Sequence, residues 1–177
     1  MYLTRLQALG FKSFAQKLDM PFSKGITCVV GPNGCGKSNV VDALRSALGE
    51  QRPRTLRSGS MGDVIFSGTR TRKPLGMSEV SITLDNSQKL LPTEFSEITI
   101  TRRLFRSGES DYLLNKIPCR LKDIHNLFMD TGLGAQSSYV ISQGMVDEII
   151  SDNTEERRHI FEEAAGVTRY KIRRRSA

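Results

Sequence analysis

Gly31-Pro32-Asn33-Gly34-Cys35-Gly36-Lys37-Ser38 satisfies G-x-x-x-x-G-K-[ST] at every required position, the signature of a phosphate-binding loop. Glycines in such a loop let successive backbone N–H groups turn toward phosphate oxygens. Lys37 then supplies a mobile charge at the β- and γ-phosphates, and the Ser38 hydroxyl a ligand for Mg²⁺. Upstream, Gly25-Ile26-Thr27-Cys28-Val29-Val30 is a β-branched apolar run that reads as a buried parallel strand. Downstream, Val40, Val41, Leu44, Ala47 and Leu48 recur at helical spacing, with Gly49 as the stop. Strand, loop and helix in that order aim a helix N-terminus at the phosphates. A glycine turn that binds nothing is the alternative, and the lysine with both flanks argues against it.

Bulk properties set the frame. The chain has 177 residues, room for one domain with a core, and 38% of them are hydrophobic. No apolar run approaches the ~18 residues of a membrane helix. Met1-Tyr2-Leu3-Thr4-Arg5 lacks the apolar core of a signal peptide, so a cytoplasmic location is expected, with no membrane partner. Cys28, Cys35 and Cys119 are odd in number and have no metal-ligand spacing, which points to reduced thiols. The net charge of +7 suits a polyanionic partner. The charge gathers at Arg52, Arg54, Arg57, Arg70, Arg72 and Lys73, and again in the final residues, although a solvated face is the commoner meaning of such a run.

Along the chain, residues 2–9 read as a strand, Gly10-Phe11-Lys12-Ser13-Phe14 as a turn, and a second extended piece leads to Pro21. Residues 50–62 read as an Arg/Ser/Gly surface loop. From 63 to about 114 the period is two. Val80–Leu84 and Ile98–Thr101 alternate, and Asp85-Asn86, Ser107-Gly108 and Asn115-Lys116 give turns. Those hairpins predict an antiparallel sheet beside the parallel nucleotide core. Leu121, Ile124, Leu127 and Phe128 predict a short helix, Tyr139–Ser142 another strand, and Asn153-Thr154-Glu155-Glu156 the capped start of a last helix.

A P-loop ATPase also needs an apolar strand ending in Asp. Asn126-Leu127-Phe128-Met129-Asp130 is the nearest candidate, but its apolar positions continue the helical spacing upstream, so a helix is preferred. Val146-Asp147-Glu148 lacks the preceding apolar run, and no Leu-Ser-Gly-Gly sequence occurs. On its own residues the chain reads as half an ATPase site.

Five elements occur in one order: Gly10–Phe14, the phosphate loop, Leu113-Leu114-Asn115-Lys116-Ile117-Pro118-Cys119-Arg120-Leu121-Lys122-Asp123-Ile124, Ile141-Ser142-Gln143-Gly144, and Ile160-Phe161-Glu162-Glu163-Ala164-Ala165-Gly166. Together they resemble the N-terminal half of the head domain of bacterial structural-maintenance-of-chromosomes proteins, the condensin ATPases. The resemblance covers essentially the whole chain. It implies an α/β, ABC-type ATPase head: residues 1–152 its N-terminal lobe, 153–177 a helix at the root of a coiled coil. It also implies that the missing acidic strand and signature sit in a C-terminal half of the same head.

The resemblance assigns roles. Pro32, Asn33, Gly34, Cys35, Gly36, Lys37, Ser38 and Asn39 form the triphosphate cradle for ATP, and Ser38 and Gln143 hold Mg²⁺. Gln143 also orients the attacking water, and Arg57 is an arginine finger on the phosphates. Lys12 and Ser13 lie near base and phosphates, and Asp63 helps to seat the nucleotide. Arg120, Lys122 and Arg54 contact the DNA backbone. Partners implied are the C-terminal half, a second head in a homodimer, DNA, and kleisin-type and accessory subunits. Cys35 stands where many members have serine, and since the backbone makes the phosphate contacts, function is expected to survive. Three other readings compete: a DNA-repair ABC ATPase of the RecN, RecF or zinc-hook kind, the ATP-binding subunit of a transporter, and a half-chain that binds without turnover.

Overall fold

The computed structural model describes residues 1–129 together with Ile150 and Arg158. Asp130, Gln143, the strand expected at 139–142 and the helix expected from about 154 lie outside the described residues.

Alternating side chains on Tyr2–Leu9 (β1) form the first strand, and its partner is Leu18–Pro21 (β2). The loop helix is Lys37–Ala47 (α1). A 3₁₀ turn at Met61–Val64 precedes Met77–Asp85 (β3), Glu97–Phe105 (β4), Ser110–Leu114 (β5), Ile117–Cys119 (β6) and the helix Leu121–Met129 (α2). The six strands make one antiparallel sheet in the order β2-β1-β3-β4-β5-β6.

Period-two patterning explains the sheet. In β3 and β4 every second residue is buried, so Val80, Ile82 and Leu84 lie on the same face as Ile98, Ile100 and Leu104. Helix α1 covers that face with Val40, Ala43 and Ala47, while Val41, expected inside, is 37% exposed. The opposite face is stitched by polar pairs: Ser81 with Thr101 at 2.8 Å, Thr83 with Thr99 at 3.1 Å, and Glu79 with its register partner Arg103 at 2.6 Å. At the β3–β4 connection the fully buried Asn86 amide accepts from Leu91 N–H at 2.9 Å and donates to Phe95 O at 2.9 Å. Asn115 and Lys116 both have positive φ, 47° and 70°, and turn β5 into β6 as a two-residue hairpin.

Two expectations fail locally. Residues 25–30 belong to no strand of the described sheet and are exposed, Ile26 at 97% and Val30 at 86%. A parallel strand needs neighbours to bond and helices on both faces. None of the described strands lies alongside this segment, so its apolar pattern states a preference that nothing here satisfies. Leaving Ile26 and Val30 in water forgoes about 1.5–3 kcal/mol of burial each. Residues 50–62 are not wholly surface: Leu56 is fully buried, and the 3₁₀ turn that begins at Met61 runs into the buried Val64.

Candidate nucleotide-binding site

The turn after β1 sets the position of everything around the loop. Gly10 has φ 65° and a Cβ there would lie 2.4 Å from Met77 O, so only glycine fits. Its N–H bonds Phe14 O at 2.8 Å, while Lys12 N–H reaches Val64 O at 2.7 Å and Phe66 N–H reaches Gly10 O at 2.8 Å. This tight hairpin brings Lys12 and Ser13 against α1.

Gly34 (φ 82°) and Gly36 (φ 97°) take the left-handed turns that precede α1. Gly36 is the N-cap and offers no side chain to the first N–H groups, and the first turn has no acidic residue. Those orphan donors and the positive end of the helix dipole are what an anion needs. A Cβ on Gly36 would approach Ser13 Oγ to 3.1 Å, so the hairpin packs directly on the loop. Lys37 folds back, its Nζ donating to Gly31 O at 2.6 Å and Pro32 O at 2.7 Å. Pro32, Asn33, Gly34, Cys35 and Ser38 are all exposed.

One turn into the helix, Asp42 is 2% exposed and collects two cations. Lys12 Nζ lies 2.5 Å from its Oδ2 and also donates to Leu56 O. Arg57 reaches the same oxygen through Nη2 at 2.6 Å and Nε at 3.1 Å. Arg57 Nη2 also meets Asn39 Oδ1 at 3.1 Å, and Asn39 Nδ2 donates to Ser13 Oγ at 2.8 Å. Lys12, Ser13, Asn39 and Arg57 thus join the loop in one constellation.

Other expected residues sit elsewhere. Asp63 Oδ2 accepts Ser60 N–H at 2.6 Å in a capping box, so its carboxylate serves the 3₁₀ turn. Arg120 and Lys122 are exposed at the β6–α2 junction, where Asp123 Oδ2 takes the Arg120 N–H at 2.8 Å. Arg54 is exposed on the loop that carries Arg57. Gln143 lies outside the described residues.

Two residues escaped the sequence reading. Helical spacing does not mark Asp42, which stands two residues after Val40 and one before Ala43, off the face these share with Ala47. Arg102 shares the inward parity of Ile98, Ile100 and Leu104, and is 3% exposed. Its Nη1 donates to Ser46 O at 3.2 Å and Glu50 O at 2.5 Å, which closes the C-terminal end of α1. The guanidinium stacks 5.1 Å from the Tyr112 ring. Burial lowers the Arg102 pKa and raises that of the Tyr112 hydroxyl.

Residues 2–171 match the family model described as the RecF/RecN/SMC N terminal domain. The chain is 56% identical over 177 residues to the chromosome partition protein Smc of Bacillus subtilis (strain 168), with all of this chain and 15% of that protein covered. A chain solved in work on ATP-driven dimerization and DNA-stimulated activation of SMC ATPases superposes with a TM-score of 0.83 at 33% identity. That match covers 93% of this chain and 99% of the other. The Smc head solved with the C-winged helix domain of ScpA gives a TM-score of 0.86 at 30% identity, over 98% of this chain and 53% of the other.

Proposed function

The chain belongs to the RecF/RecN/SMC N-terminal domain family and has the fold of an SMC ABC-type ATPase head, and from that premise we propose that it is the N-terminal lobe of a head that binds and hydrolyses ATP, dimerises on ATP and acts on DNA in chromosome partition. It spans only about 15% of the length of the curated relatives it matches. Identity of 56% to a chromosome partition protein favours this reading over the DNA-repair alternative within the same family description.

One observation carries the reading: an uncapped helix N-terminus behind two left-handed glycines, with Lys37 folded over the loop carbonyls. This arrangement fits a triphosphate. Backbone N–H groups from Asn33 to Asn39 would receive the phosphate oxygens, and Lys37 would exchange its two carbonyls for them. Ser38, exposed at the start of α1, would hold Mg²⁺ together with Gln143. When bound, MgATP supplies the γ-phosphoryl group and the metal that offsets its charge. Arg57 is within one residue of the site through Asn39 and serves as the finger that neutralises charge. Ser13 orients Asn39.

A C-terminal half would complete the head with the acidic strand and signature, and would give residues 25–30 the parallel neighbours they lack. Residues 153–177 would start the coiled coil. A second head, a kleisin-type subunit and accessory subunits complete the assembly, which works on the nucleoid in the cytoplasm. Exposed Arg54, Arg120 and Lys122 suit contacts to DNA phosphates, which read charge and not sequence.

Equilibrium binding of a fluorescent ATP analogue to this chain with Mg²⁺ tests the site. Saturable binding is expected, with a loss of at least about tenfold in Lys37→Ala, the scale of one charge-assisted bond. Equal affinity in that variant would reject the site.

A further inference from the structure

The Asp42 cluster holds more positive charge than its carboxylate requires. A buried carboxylate needs a partner, because desolvation without one is strongly unfavourable. Asp42 has two partners on the same Oδ2, Lys12 Nζ at 2.5 Å and Arg57 Nη2 at 2.6 Å. The two cations are held unequally. The Lys12 side chain is 12% exposed and is fixed a second time by Leu56 O. The Arg57 side chain is 52% exposed, and its further contact is Asn39 Oδ1 at 3.1 Å, in the first turn of α1. Repulsion between two cations on one oxygen acts on both alike, and Arg57, the more exposed and less anchored, is the one free to yield. Both residues have left-handed backbones, φ 48° for Lys12 and φ 51° for Arg57, a conformation that side chains disfavour.

We infer that Asp42 is a positioning residue: it docks the Arg57 guanidinium beside the phosphate loop, while Lys12 is its permanent counter-ion. Arg57 then transfers to a triphosphate without leaving a buried carboxylate unpaired, because Lys12 stays. The identity of the anion that draws Arg57 away rests on the nucleotide reading above. The docking itself does not.

The test is the rate at which phenylglyoxal modifies Arg57 in the 177-residue chain, read by peptide mass spectrometry without nucleotide. Asp42→Asn releases the guanidinium and is expected to speed modification several-fold. Lys12→Met leaves Arg57 as the sole partner of Asp42 among the described residues and is expected to slow it. A purely structural role for the pair would loosen the loop in both variants and speed both, which would overturn the docking. Circular dichroism checks folding. Asp42→Glu, which keeps a carboxylate, is the folded companion; a rate as fast as that of Asp42→Asn would also overturn the proposal. Adding MgATP separates the two readings. It is expected to change the Arg57 rate in the parent and not in Lys37→Ala. An equal response in Lys37→Ala would reject the nucleotide site, and the opposite shifts of the Asp42 and Lys12 variants would still support the docking.

Discussion

Lys12 lies where its motif leads one to look, at the tip of the first hairpin, yet its ammonium is spent on Asp42 and Leu56 O. Sequence spacing locates a residue on the chain, whereas its partner depends on a helix thirty positions on. Asp63 makes the same point, since its acceptor role is local. Other residue-level effects follow directly from geometry. Arg5 donates through Nε to Asp19 at 2.7 Å and, with Gln7 also donating, holds that carboxyl at about 2 against its ordinary 3.8. Because the folded value is the lower one, the pair stabilises fully above the unfolded value, and the effect is lost as pH falls through about 2. A carboxyl NMR titration is expected to place Asp19 near 2 and to return it toward its ordinary value in Arg5→Met. An unshifted parent value would contradict this. Gly10→Ala drives a Cβ into Met77 O and strains a left-handed backbone. It is expected to cost about 3 kcal/mol in urea unfolding, with a loss under 1 kcal/mol as the contrary result.

At the scale of elements, alternation in 80–84 and 98–101 was enough to read two half-buried strands and the Asp85-Asn86 turn, although the strands run further, over Met77–Asp85 and Glu97–Phe105. Buried antiparallel strands carry their own instructions, because partner and turn are close in sequence. The segment 25–30 carried an equally clear apolar signal, but a parallel strand is specified by distant neighbours, and none is among the described strands. The 50–62 loop misled in the other direction: its polar composition hid Leu56, the anchor that holds the Arg57 loop down. Arg102 shows what parity alone reveals, an inward position, and what it cannot, that the helix end above supplies two carbonyls. Replacing it by Met keeps an apolar stem but takes the Arg102 donor from Glu50 O, while Ser46 O keeps the Gly49 N–H. That loss outweighs relief from burying the charge, so Arg102→Met is expected to destabilise by about 2 kcal/mol. Unchanged or higher stability in urea would mean desolvation of the guanidinium dominates.

For the whole molecule, the phosphate loop and the ordered set of motifs made the family legible in the sequence. What sequence could not supply was the arrangement around the loop, where Ser13, Asn39, Arg57, Asp42 and Lys12 converge from three separate segments. Exposed Ile26 and Val30 beside an intact loop fit a lobe whose nucleotide sheet is finished by other strands. ATP hydrolysis by this chain alone, and after mixing with a separately produced C-terminal half, tests that idea most directly. Lys37→Ala and added duplex DNA serve as controls. Turnover is expected only in the mixture, lost with Lys37→Ala and raised by DNA. Full turnover by the chain alone would contradict the split head and make Asp130 the first residue to replace.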